Sequence, residues 1–287
     1  MRSLLLLLAT TLLLPMHAAF AQVAATVEGV QMPAWVERAG RRLPIIAGME
    51  LRAGDRVITG GGSRLAVKLA EGSLVRLGEN GQLAFTELSP GRELFKAALN
   101  VLEGAFRFTT DIVGRNRKRE VSIRAAQVTA GIRGTDLWGR SRKDNEIVCL
   151  IEGEIEVAAE GEQAVSMNQP LQFYRRIDGK TQPVGVVEQK QLEQWAAETD
   201  IAAGKGAAQA GGRYSVVLAS APDQASALSI YDQAREAGYA AELAPLKEGE
   251  TMVYRVVIRH LASRAEARAL GDQLRGRFGI TEPKVLG

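Results

Sequence analysis

The sequence predicts a multidomain chain, with an all-β domain of β-roll or solenoid-like character followed by a small α+β domain. Three observations carry this. From about Leu51 to Val157 the chain is rich in valine, leucine, isoleucine and glycine, arranged in short alternating runs with few helical patterns. From Arg213 to Gly287 the periodicity switches in the order strand, helix, strand, strand, helix, strand. Ahead of both, residues 1–21 have the layout of an export signal. The divisions that follow are 1–21, 22–187, 188–212 and 213–287.

In the first division Arg2 supplies the positive start, Leu4 to Leu14 an apolar run, and Ala19-Phe20-Ala21 a small-x-small cleavage site before Gln22. The run is too short to cross a bilayer, and no later stretch is apolar for long enough. No cysteine follows it to take a lipid. The expectation is a cleaved signal peptide and a soluble periplasmic protein with no integral membrane span.

The second division carries an internal echo: Glu71-Gly72 before Ser73–Leu77, Glu103-Gly104 before Ala105–Phe108, and Glu152-Gly153 before Glu154–Val157. Each Glu-Gly reads as a turn feeding a strand, with glycine supplying a positive φ. Units of this kind predict a roll or solenoid in which each buries its apolar side against the next. Gln169–Val187 adds a strand or two anchored by Leu171, Phe173 and Ile177. A helix from Gln189 to about Ala202 then presents Leu192, Trp195 and Ala196 on one face, as a cap for the β domain. The stretch 202–212, nearly all alanine and glycine, reads as a flexible leash.

In the last division Tyr214–Ala219 alternates as a strand. Pro222 opens a helix with Ala227, Tyr231 and Ala234 on one face, and Gly238 stops it. Strands follow at about Tyr239–Pro245 and Tyr254–Arg259. Ser263 and Glu266 form a capping box for a helix whose Ala267, Leu270, Leu274 and Phe278 share a side, ended by Gly279. A final strand at Lys284–Leu286 completes a four-stranded antiparallel sheet with two helices on one face. Its other face is bare, and a bare face on a small exported module is a binding surface.

Composition removes several chemistries. Cys149 is the only cysteine, so no intramolecular disulfide forms, and its setting in Ile147–Ile151 is that of a buried small hydrophobe. Of two histidines His17 leaves with the signal, so His260 alone remains. That is too little for a metal cluster or a recognisable Cys–His or Ser–His arrangement. No carboxylate pair is marked for glycosidase work. No catalytic residue, metal or cofactor is expected. The net charge of +3 suits a weakly anionic partner better than a polyanion. Gly114–Arg119 reads as a basic hairpin tip or loop in solvent, or as a contact for anionic lipid heads or teichoic-like polymers. In Gly131–Asp136, Thr135 and Asp136 are expected to bond turn amides, with Arg133 pairing locally; the alternative is a Gly-bracketed loop on which Arg133 and Asp136 present charges to a partner.

The order of elements in 213–287 and the twin strands Tyr214-Ser215-Val216-Val217-Leu218 and Tyr254-Arg255-Val256-Val257-Ile258 resemble the SPOR family. These are periplasmic modules that bind peptidoglycan glycan strands stripped of stem peptides. The same topological order serves RNA-recognition motifs, which need stacking aromatics on the central strands. Here Val216, Leu218, Val256 and Ile258 are aliphatic, and no nucleic acid partner is expected. Upstream, the strings Leu51–Val57, Ala70–Leu77 and Gly131-Ile132-Arg133-Gly134-Thr135-Asp136-Leu137 resemble the FecR domain. That family is best known as the periplasmic part of sigma-factor transducers. This chain shows neither the anti-sigma segment nor the membrane span those carry ahead of the domain, so the resemblance implies an all-β scaffold or partner-binding module.

With Val216, Leu218, Val256 and Ile258 against the helices, alternation turns Ser215, Val217, Ala219, Arg255, Val257 and Arg259 to the bare face. Arg255 and Arg259 suit the lactyl carboxylates of denuded glycan, and Ser215 and Ala219 leave room for sugar rings. Members of the family commonly hold glutamine at the position of Val217, a polar or small residue at those of Val257 and Arg259, and phenylalanine at those of Ala221 and Leu261. The expectation is a non-enzymatic envelope protein bound to peptidoglycan glycan strands, linked to cell division or wall remodelling, with an envelope protein as partner of the β domain. The alternatives are a protein–protein adaptor or signalling module whose sheet no longer binds sugar, or an activator of a wall hydrolase. An exposed apolar patch around Val217 and Val257 would favour the adaptor.

Overall fold

The computed structural model describes residues 23–91, 93–110 and 118–287. The expected signal peptide, and most of the basic run Gly114–Arg119, lie outside the described residues. Along the chain come β1 Ala25–Gln31, β2 Ala34–Arg38, β3 Arg41–Pro44, β4 Glu50–Leu51, β5 Arg56–Thr59, β6 Arg64–Leu69, β7 Leu74–Leu77 and β8 Gln82–Pro90. There follow β9 Leu94–Thr109, β10 Lys118–Ala125, β11 Val128–Arg142, β12 Asn145–Ala159, β13 Val165–Met167, β14 Gln172–Ile177, β15 Lys180–Thr181, β16 Gly185–Val186 and the helix α1 Gln189–Ala197.

These elements make two sheets facing each other across one apolar core, with three long strands shared between them. One sheet runs β1, β6, β7, then the second half of β9, the second half of β11, the first half of β12, β14 and β16. The other runs β3, β2, β5, β8, the first half of β9, β10, the first half of β11, the second half of β12 and β13. Phe95, Leu99, Val101, Phe106, Phe108, Leu137, Val148, Leu150 and Ile155 fill the space between.

The three long strands cross from sheet to sheet at bends, and this corrects the solenoid expectation. Gly72 does lie in a turn between β6 and β7, with φ 102°. Gly104 (φ 93°) and Gly153 (φ 91°) instead sit inside β9 and β12. A positive φ serves a strand bend as well as a turn, so the same Glu-Gly pair has two outcomes. Neighbouring strands are antiparallel apart from β9 and β10, whereas stacked coils would pair in parallel. At Gly153 a side chain would be driven into the Gly134 carbonyl, so the bend also needs glycine for close approach.

The outer side of the first sheet carries a second cluster of Ala105, Trp138, Ile147 and Cys149. Helix α1 covers it with Leu192 and Trp195, the Trp195 ring stacking on Trp138 at 4.9 Å and 12°.

The chain then continues as β17 Ala207–Gln209, β18 Tyr214–Ala221, α2 Gln224–Glu236, β19 Ala241–Glu248, β20 Thr251–Leu261, α3 Arg264–Leu274 and β21 Lys284–Leu286. The antiparallel order β21–β18–β20–β19 gives the four-stranded sheet. Ala227, Ala234, Ala267, Leu270 and Leu274 pack from the two helices onto Val216, Leu218, Val256 and Ile258. Asp223, not Pro222, caps α2, its side chain accepting from the Ser226 amide at 2.8 Å.

The leash expectation does not hold. Strand β17 pairs antiparallel with β1 over Gly29↔Gln209, Val30↔Ala208 and Gln31↔Ala207, and meets β20 at Ala208↔Leu261. The cause lies far along the chain. Glu266, 7% exposed, accepts the backbone N–H groups of Gly204 (2.6 Å), Gly206 (2.7 Å) and Ala207 (2.9 Å). The capping box is therefore half made: the Ser263 hydroxyl accepts from the Glu266 amide at 3.2 Å, but the carboxylate is turned to the 204–207 segment. A second tie joins the domains where the Trp35 indole N–H donates to the Glu236 carbonyl at 3.1 Å and the Ala34 amide to Gly238 at 3.1 Å.

Candidate functional site

The sheet face opposite α2 and α3 can be read from its register. Val216 pairs with Ile258 and Val285, all turned to the helices, so Val217, Val257, Lys284 and Glu242 lie together on the other side. Two bulges then decide which residues join them. Between Tyr214↔Leu261 and Val216↔Ile258 the extra residue is on β20, where His260 takes φ 62°. It leaves Ser215 and Arg259 on the bare face. Between Val217↔Val257 and Ala219↔Val256 the extra residue is Leu218, on β18.

That second bulge corrects one expected site residue. Beyond it Ala219 sits opposite Val256 on the helix side, and exposed Ser220 takes the place opposite Arg255. A one-residue insertion shifts every later side chain to the other face. Of the six residues expected, Ser215, Val217, Arg255, Val257 and Arg259 are brought together and Ala219 is not. Ser220 and Lys284 were missed. Simple alternation along Lys284–Leu286 would have found Lys284; the bulge that exposes Ser220 leaves no local sign.

Val217 and Val257 are only 5% and 3% exposed, so they form a closed floor and not the apolar patch an adaptor would present. Arg255 donates through Nη2 to Glu248 Oε1 at 2.7 Å, and Arg259 through Nε to Glu242 Oε2 at 2.9 Å. Both guanidinium groups are thus held by carboxylates of β19. Arg255 Nε is buried with no partner among the described residues.

Residues 55–156 match the family described as FecR protein, and residues 210–281 match the SPOR domain. The chain carries a FecR domain followed by a SPOR domain. SPOR domains bind peptidoglycan, which implies a cell-envelope location, and FecR-like domains are protein-interaction modules. Two crystal structures of a candidate anti-sigma factor from Parabacteroides distasonis ATCC 8503 are similar to this chain. Each is 15% identical with a TM-score of 0.41; one match covers 49% of this chain and 64% of that one, the other 76% and 89%. No curated protein matches.

In the FecR domain two of the strings that carry the resemblance serve structure. Asp55, buried, accepts from Arg38 at 2.8 and 2.6 Å and from the Arg52 amide at 2.8 Å. Gly131–Asp136 is part of β11, not a tight turn. Asp136 accepts from Arg107 on β9 at 3.0 and 2.7 Å in place of turn amides, and the Thr135 amide donates to Thr110 Oγ1 at 3.0 Å. The Arg133 side chain lies outside the described residues.

Among the described residues no group of His, Cys, Asp and Glu could hold a metal ion, and no helix is long and apolar enough to cross a membrane. Cys149 is wholly buried, and desolvation pushes its thiol up to about 12. Only the thiolate reacts. A thiol reagent at pH 8 is therefore expected to leave Cys149 unlabelled in the folded chain and to label it fully in denaturant; rapid labelling of the native protein would contradict this burial.

Proposed function

We propose that this is a non-enzymatic periplasmic protein of the bacterial envelope that docks on peptidoglycan glycan strands lacking stem peptides through the bare face of its SPOR domain. The FecR domain acts as the scaffold or partner-binding module, and the setting is cell division or wall remodelling. The observation that carries the reading is the make-up of that face. A sealed floor of Val217 and Val257 is bordered by the small hydroxyls of Ser215 and Ser220 and by Arg255, Arg259 and Lys284. Hydroxyl groups and cations match a sugar strand that keeps a carboxylate on each muramic residue, and small side chains leave space for the rings.

The test is co-sedimentation of the full chain with purified sacculi, before and after an amidase removes the stem peptides. Retention is expected to rise on stripped sacculi and to fall with added salt. Absence of retention on both preparations would overturn the glycan reading and turn the search to protein partners.

A further inference from the structure

We infer that Lys284, and not the arginine pair, is the group that captures the carboxylate of the bound glycan; this rests on the peptidoglycan reading above. The face holds three cations and two carboxylates. Glu248 and Glu242 already occupy Arg255 and Arg259, at 2.7 and 2.9 Å. A ligand carboxylate reaching for either arginine must displace a partner that is covalently part of the same sheet and therefore present at high effective concentration.

Lys284 is placed differently. It is exposed on the edge strand β21, it pairs in register with Val217, and its ammonium makes no hydrogen bond or ion pair among the described residues. Its neighbours across the ladder, Val217 and then Val257, are uncharged, so no carboxylate on the adjoining strand competes for it. An ammonium on a flexible stem also suits a lactyl group whose position varies along a strand. Arg255 and Arg259, tied to carboxylates of β19, border the face, and Lys284 supplies the free charge.

The experiment uses the full chain on amidase-stripped sacculi, comparing wild type with Lys284→Gln and with the double variant Arg255→Gln, Arg259→Gln, each checked for native circular dichroism. Lys284→Gln is expected to weaken retention roughly tenfold, the loss of one hydrogen bond to a charged group, and the arginine variant less than about threefold. On stripped glycan whose carboxylates have been converted to amides, wild type should fall to the level of Lys284→Gln, and that variant should be unaffected. A third variant, Glu242→Gln, Glu248→Gln, frees the arginines and should raise retention, which unfolding cannot do. Wild-type-like retention of Lys284→Gln, equal loss in both cation variants, or no gain in the glutamate variant overturns the inference and leaves the glycan reading standing. No retention of wild type on any preparation overturns both.

Discussion

Replacing Glu266 with alanine is expected to cost about 3–5 kcal/mol and to release the 204–207 segment from the SPOR domain. One buried carboxylate satisfies three backbone N–H groups, and each is left without an acceptor when it goes. Chemical denaturation measures the loss. Hydrogen exchange at the amides of 204–207 locates it, and unchanged protection there would show that other contacts hold the segment. The same carboxylate sets a pH dependence. Burial raises its pKa, but the amides of Gly204, Ala207 and Gly206 outweigh that and hold it below the usual glutamate value. A group depressed on folding contributes fully above its unfolded pKa. The contribution shrinks as pH falls below that value and is gone once pH passes the folded one. Glu266→Gln should therefore be less stable than wild type at neutral pH, with the gap closing in acid.

Trp138→Ala is expected to cost about 3–5 kcal/mol, because it empties the middle of the cluster beneath α1 and removes the stack with Trp195. Trp138→Phe separates two contributions. The indole Nε1 of Trp138 is buried with no partner among the described residues, so phenylalanine gives up none of the hydrogen bonds seen there. Its cost should stay near about 1–2 kcal/mol, the volume difference alone. Urea unfolding followed by circular dichroism decides; equal losses for the two variants would mean that an acceptor for the indole exists.

The C-terminal domain was legible because its signals are local. Alternation groups Val216 with Leu218 and Val256 with Ile258, helical spacing groups Ala227, Ala267, Leu270 and Leu274, and the structure packs these groups together. Where alternation breaks, the reading broke with it: the bulge at Leu218 exchanged Ala219 for Ser220. In the FecR domain the Glu-Gly pairs marked where the backbone needs a positive φ, but not whether the chain turns back there or bends and runs on. Gly104 and Gly153 do the second, and the two-sheet arrangement follows from that. The segment 202–212 is unreadable in sequence for another reason. Its composition is that of a leash, and what orders it is Glu266, distant in sequence and itself in the first turn of α3.

The ladder from β1 through β17 to β20 has a mechanical consequence. A pull between the two domains along the axis of β17 loads its antiparallel hydrogen bonds in shear, so that they resist together and do not open one after another. With Trp35 holding the Glu236 carbonyl at a second point, rotation about that strand is braced as well. Between the domains there is thus a hydrogen-bonded strand with a second point of attachment, and not a slack tether.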